Sequence, residues 1–181
     1  MNKRIYLSIL LLTFISCNVN TQSVALKNIT CNGIDVVSIG EKVQTLRSNM
    51  QGKYIVSEYF EDSSLSINLG SSEFITIVYF KNRINAIGVF CQNYNLDDRI
   101  FIGMKIEALQ AIIPEIEVVV NHHDSYEYIE YLCDTNIVEI LVESEKDNVA
   151  TVGIYDTDSD RTSKFDVNAS VIGFIIKSGN L

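Results

Sequence analysis

The sequence predicts an α+β fold of two tandem units, each a short helix packed on an antiparallel four-stranded meander, and three observations predict it. At an offset of 63 residues the chain matches itself: Ser38-Ile39-Gly40 falls on Phe101-Ile102-Gly103, Lys42 on Lys105, Val43 on Ile106 and Leu46 on Leu109. Two extra residues then move the offset to 65, which brings Ile87-Gly88-Val89-Phe90 onto Val152-Gly153-Ile154-Tyr155. Apolar matches come cheaply in a chain that is 47% hydrophobic, but glycines and lysines falling in register mark a duplication. Each unit also opens with apolar residues at i, i+3 and i+7, the spacing of one helix face: Val43, Leu46 and Met50, then Ile106, Leu109 and Ile113. Runs with period-2 alternation follow each helix, joined by turns so short that neighbours must pair antiparallel.

In chain order, Lys3 and Arg4 precede an apolar run over residues 5–15. That run is shorter than the roughly 20 residues a bilayer-spanning helix needs, so residues 1–16 read as a signal peptide. Ser16-Cys17 resembles the lipobox of exported bacterial lipoproteins, where a small residue precedes a cysteine that is acylated and becomes the new N-terminus; Phe14 departs from the leucine usual there. The resemblance implies lipid on Cys17, a polar tether over residues 17–23, and anchorage in the bacterial envelope, at the outer membrane or its periplasmic face. At about 0.8 kcal/mol per buried methylene, two or three acyl chains hold such a protein on its membrane almost permanently.

The first unit is expected over residues 24–94. A flanking strand at 24–30 leads to Gly40, whose freedom lets the chain turn into the first helix, and strands follow at 54–60, 64–69, 74–80 and 84–90. Residues 92–99 form the boundary. The second unit, 95–181, repeats the plan with Gly103, a helix stopped by Pro114, and strands at 116–120, 126–133, 137–143 and 149–155. In the third of these Val138, Ile140 and Val142 alternate with Glu139, Leu141 and Glu143, so one face is buried and the other mostly wet. A polar loop over 157–166 then leads to an added C-terminal strand at 170–177.

The pattern carried by Ile102-Gly103-Met104, Ile106, Leu109, Pro114 and Gly153 resembles the small exported modules typified by β-lactamase-inhibitor proteins, and the SmpA/OmlA-type lipoproteins of outer-membrane assembly. The resemblance covers about residues 33 to 156. It implies non-catalytic binding of another protein through an exposed sheet, with no particular partner.

Charge narrows the partners. Removing residues 1–16 takes Lys3 and Arg4 and leaves 12 basic against 23 acidic residues, a net charge of −11. Nucleic acid is excluded as a partner, because binding it needs clustered Lys and Arg to displace counterions. An exported chain meets an oxidising compartment. Cys31, Cys91 and Cys133 then allow three single pairings with one thiol left over, or three small buried hydrophobes, and the sequence does not choose.

No local motif supports an enzyme: there is no G-x-S-x-G and no glycine-rich phosphate loop. No metal and no cofactor is expected. His122 and His123 are adjacent and point apart on an extended chain, while the run Asp156 to Asp160 starts like a calcium loop but has Arg161 in place of its glycine and Val167 in place of its final glutamate. The candidate protein-binding residues lie in the 126–133 strand. Tyr126, Tyr128 and Glu130 share one face, Glu127, Ile129 and Tyr131 the other, and tyrosines on an exposed sheet give rigid amphipathic contact area. The alternative function is an envelope enzyme or small-ligand carrier with its site between the two units.

Overall fold

The computed structural model describes residues 27–59, 63–70, 73–133, 135–144 and 151–179. The signal peptide, Cys17 and the tether lie outside these residues. The described chain forms two sheets and two short helices with one contiguous core, an arrangement of the α+β class that is dominated by strands.

The chain begins with three short strands, β1 (Lys27–Thr30), β2 (Gly33–Ile34) and β3 (Val37–Ser38), then turns into helix α1 (Val43–Met50). Strands β4 (Ile55–Tyr59), β5 (Ser64–Gly70), β6 (Glu73–Phe80) and β7 (Arg83–Val89) follow as an antiparallel meander. Next come β8 (Tyr94–Leu96), β9 (Ile100–Phe101) and helix α2 (Ile106–Gln110), then β10 (Val118–Asn121), β11 (Tyr126–Leu132) and β12 (Asn136–Glu143). A long excursion carries the two-residue β13 (Arg161–Thr162) before the chain returns as β14 (Ser170–Ser178).

The first helix behaves as its spacing predicts; the second is shorter than expected, ending at Gln110, so that Ile113 lies beyond it and Pro114 is not what stops it. Val43, Leu46 and Met50 of α1 are buried, as are Ile106 and Leu109 of α2. Each is approached through a glycine in the left-handed region, Gly40 at φ +80° and Gly103 at φ +91°, where a side chain is strained. Arg47 of α1 ties the helix to β4 by a two-pronged ion pair with Glu58, at 2.7 and 3.0 Å.

The large sheet has nine strands in the order β13-β10-β11-β12-β14-β7-β6-β5-β4. Its inner face, with Ile75, Ile77, Val138 and Ile140, packs into the same core as the two helices and the five-stranded sheet β3-β2-β1-β8-β9. Its other face carries no layer among the described residues.

One expectation about the large sheet is corrected here. Of the segment expected at 149–155, the described residues 151–155 are not the fourth strand of the second meander; that place, beside β12, belongs to β14, which also pairs with β7 and so joins the two halves. A strand hydrogen-bonded on both sides at the centre of a sheet needs a long run with a well-filled inner face, and the nine residues SVIGFIIKS, which bury Val171, Phe174 and Ile176, meet that need better than the shorter VATVGIY. The strand expected as a terminal addition is therefore central. Within residues 92–99, where the boundary is expected, Tyr94, Asn95 and Leu96 are all buried, in a strand lying parallel to β1.

The five-stranded sheet is fastened to the end of β11 by a disulfide between Cys31 and Cys133, which closes a sequence separation of 102 residues. Asn136 Nδ2 donates to the Cys31 carbonyl at 2.9 Å and to Asn32 Oδ1 at 3.0 Å, and the Tyr131 hydroxyl donates to Asp97. Cys91 is the thiol left over, buried, its Sγ within 3.3 Å of the Phe74 carbonyl oxygen.

Candidate functional site

The alternation on β11 settles which of its faces sees solvent. Glu127 and Ile129 are buried, so Tyr126, Tyr128 and Glu130 stand on the outer face of the large sheet, each partly exposed. The three residues singled out from the sequence therefore share the uncovered face, and the structure adds their partners. The Tyr126 hydroxyl donates to Glu139 Oε2 at 2.8 Å, while Lys177 Nζ donates to Glu139 Oε1 at 2.6 Å and to the Tyr126 oxygen at 3.0 Å. The Tyr126 and Tyr128 rings lie 5.7 Å apart and tilted. Glu130 takes a fork of two hydrogen bonds from Arg161, at 2.9 and 3.0 Å, which fastens β13 to β11.

These contacts fix protonation as well as position. Burial raises the Tyr126 and Tyr128 phenols above their ordinary value, so both stay neutral. Burial alone would lower the Lys177 ammonium, but its hydrogen bonds to Glu139 and Tyr126 outweigh that and raise it. Tyr126 is thus held by a charged pair on a sheet, an arrangement that presents an aromatic ring with little freedom left to lose.

Register extends the face across the sheet. Tyr128 pairs with Leu141 and Leu141 with Gly173; on the other side Phe74 pairs with Asn68 and Asn68 with Ile55. Phe90 lies between the two groups, its ring against both Gly173 and Gly88. A row therefore crosses from β11 to β4 in which Leu141 is buried, against the expectation that its face of the strand is wet, and Asn68 is polar, while Phe90 at 50%, Phe74 at 47% and Ile55 at 71% are exposed. Val78 and Phe80 of β6 add exposed apolar surface to the same half. Sequence reading missed Phe74, Phe90, Glu139, Lys177 and Arg161, because only strand register brings them together.

Two open clefts flank the second half of this face. One, of about 530 Å³, is lined by Tyr126, His122, Glu127, Glu143, Val152 and Ile172 among others. The other, of about 640 Å³, includes Glu115, Glu117, Glu130, Leu132, Arg161 and Phe165. Both are built from residues of the second half, whereas a carrier or enzyme of the alternative kind was expected to place its site between halves.

Glu127, on the buried face of β11, is a second enclosed acid of this region beside Glu139. It accepts hydrogen bonds from the backbone N–H of Val152, from that of Gly153 at 2.8 Å and from the Tyr155 hydroxyl at 2.7 Å. Burial first, and the Glu127 carboxylate second, raise the Tyr155 phenol far above its ordinary value. All of these groups are spent on holding the 151–155 segment to the sheet, which is a structural use. His122 and His123 are exposed on the β10–β11 hairpin, and Asp156, Asp158 and Asp160 are exposed on the excursion. Among the described residues no group of three or more His, Cys, Asp or Glu side chains is arranged to hold a metal ion, and no helix is long and apolar enough to cross a membrane.

No protein-family model and no curated protein matches the sequence. Three solved structures share an outline with it at low identity. An extracellular protein containing an SCP domain from Bacillus anthracis matches at 9% identity and a TM-score of 0.44, over 77% of this chain, which spans only 44% of that protein. A DUF4309 family protein, YjgB, from Bacillus subtilis matches at 9% identity and a TM-score of 0.46, over 80% of this chain and 84% of its own. The uncharacterized protein YfeY from Escherichia coli matches at 11% identity and a TM-score of 0.43, over 83% and 99%. Likeness at this level carries no functional argument.

Proposed function

We propose that the chain is an exported lipoprotein, tethered through Cys17 in the bacterial envelope, that binds another protein non-catalytically through the outer face of its nine-stranded sheet. The two halves of that sheet are read as copies of one helix-and-meander unit, the plan of the β-lactamase-inhibitor-like and SmpA/OmlA-like modules that the sequence resembles. The observation that carries the reading is the row from Tyr128 to Ile55, which leaves Phe90, Phe74 and Ile55 in solvent on a face with no covering layer among the described residues. Monomeric proteins seldom leave such patches uncovered without a use for them. The Cys31–Cys133 disulfide supports export, since such bonds persist in oxidising compartments and are reduced in a cytosol.

A photoreactive side chain at position 128 or 74 should give a protein adduct in the envelope of the producing cell, and one at Gln44, exposed on α1, should not. Adducts from Gln44 alone, or from none of the three, would end the reading.

A further inference from the structure

Charge is divided unevenly between the halves of the molecule. Residues 27–94 hold 6 acidic and 6 basic side chains, whereas residues 95–181 hold 17 acidic and 6 basic, a net of −11. The whole negative charge of the mature chain therefore belongs to the half that supplies β10, β11, β12 and β14. The neutral half supplies Ile55, Phe74, Val78, Phe80 and Phe90 to the exposed apolar surface, and the acidic half adds Leu132 and Ile172.

The acids meet that face at the two clefts. Glu143 lines the cleft that shares Tyr126 with the outer face; Glu115 and Glu117 line the one that shares Glu130 and Leu132. All three carboxylates are exposed. Two basic groups of this half are already engaged, Arg161 of the second cleft by Glu130 and Lys177 by Glu139. Apolar walls accompany the acids, with Val142 and Ile172 in the first cleft and Leu132 and Phe165 in the second. Such sockets suit lysine and arginine, whose stems lie on apolar surface while their heads meet the carboxylates.

We infer that the partner on this face is a cationic protein, its basic side chains entering the two clefts and its apolar side chains covering Phe74 and Phe90. This rests on the protein-binding reading above and names the chemistry of the partner. A second copy of this chain fits worse, because it brings no net positive surface to meet a half carrying −11. An anionic lipid surface would be repelled by the same charge.

The test uses the full-length protein in its own envelope, with the photoreactive group at position 128. Three conditions are compared: the parent, the triple variant Glu115→Gln, Glu117→Gln, Glu143→Gln, and Asp35→Asn as a charge control on an exposed residue of the neutral half. The triple variant should lower adduct yield about tenfold, through loss of three exposed charge pairings. Asp35→Asn should leave the yield unchanged, and raising the salt should lower the parent's yield steeply. The adducted protein should be basic.

An adduct indifferent to salt and to the triple variant, an acidic adducted protein, or an adduct of two copies of this chain would each overturn the cationic partner. The first two of these outcomes would leave sheet-face binding of another protein standing. Absence of any adduct from positions 74 and 128 would remove both.

Discussion

Glu127 shows how one side chain does the work of a missing strand partner. The Val152 and Gly153 amides that might have paired in a ladder donate instead to its carboxylate, with the Tyr155 hydroxyl as a third donor. Hydrogen bonds to a charged group contribute about 1.5 to 3 kcal/mol each, and stripping one partner from a buried charged cluster costs about 3 to 5 kcal/mol. Glu127→Ala should lower stability by about that amount in urea unfolding, and Glu127→Gln by less, since the amide oxygen keeps one acceptor. Tyr155 adds a pH signature. Its pKa is raised in the fold, so its stabilising contribution is complete below the ordinary tyrosine value of about 10 and is lost as pH rises through the folded value. Tyr126, Tyr128 and Lys177, also raised, act with the same sign. The melting temperature should therefore fall as pH climbs above about 10, and the fall should be shallower in Tyr155→Phe.

At the scale of elements, glycine matches have unequal meanings. Gly40 and Gly103 occupy equivalent places before the two helices, both with positive φ, and Gly103→Ala should cost about 1 kcal/mol although no atom lies within 4 Å of the added carbon. Gly88 and Gly153, aligned by the same offset reading, sit in different surroundings: one is in β7 beneath Phe90, the other beside the Tyr155 ring. The glycine that faces Phe90 from the opposite side is Gly173, where an added Cβ would lie 2.6 Å from that ring. Gly173→Val should displace Phe90 from the outer face and be more destabilising than Gly103→Ala, as thermal unfolding would show. The disulfide between the sheets is a further element-level constraint. Closing a loop of about 100 residues restricts the unfolded chain enough that its loss costs about 2 to 5 kcal/mol. Cys133→Ser should lower the melting temperature accordingly.

For the whole molecule, anchorage is the first prediction. Cys17→Ser should move the protein from the membrane fraction to the soluble one, and an unchanged partition would defeat the lipid anchor. Charge is also distributed at this scale: residues 27–94 are neutral and residues 95–181 acidic, while both expose apolar side chains, Phe74 in one and Leu132 in the other, and only the sum appears in the overall composition.

Both helices, the first meander, β11 and β12 were legible in the sequence because each rests on local periodicity, which a few neighbouring residues suffice to set. So was the sharing of one strand face by Tyr126, Tyr128 and Glu130, since side chains alternate on any strand. Tertiary structure decided the rest. It chose Ser170–Ser178 over 149–155 for the centre of the sheet, paired Cys31 with Cys133 and left Cys91 out, turned the tyrosines outward, and laid Phe90 and Phe74 in line with Tyr128. Each of these is a contest or a meeting between residues far apart in the chain, settled by which arrangement buries more apolar surface and satisfies more backbone donors.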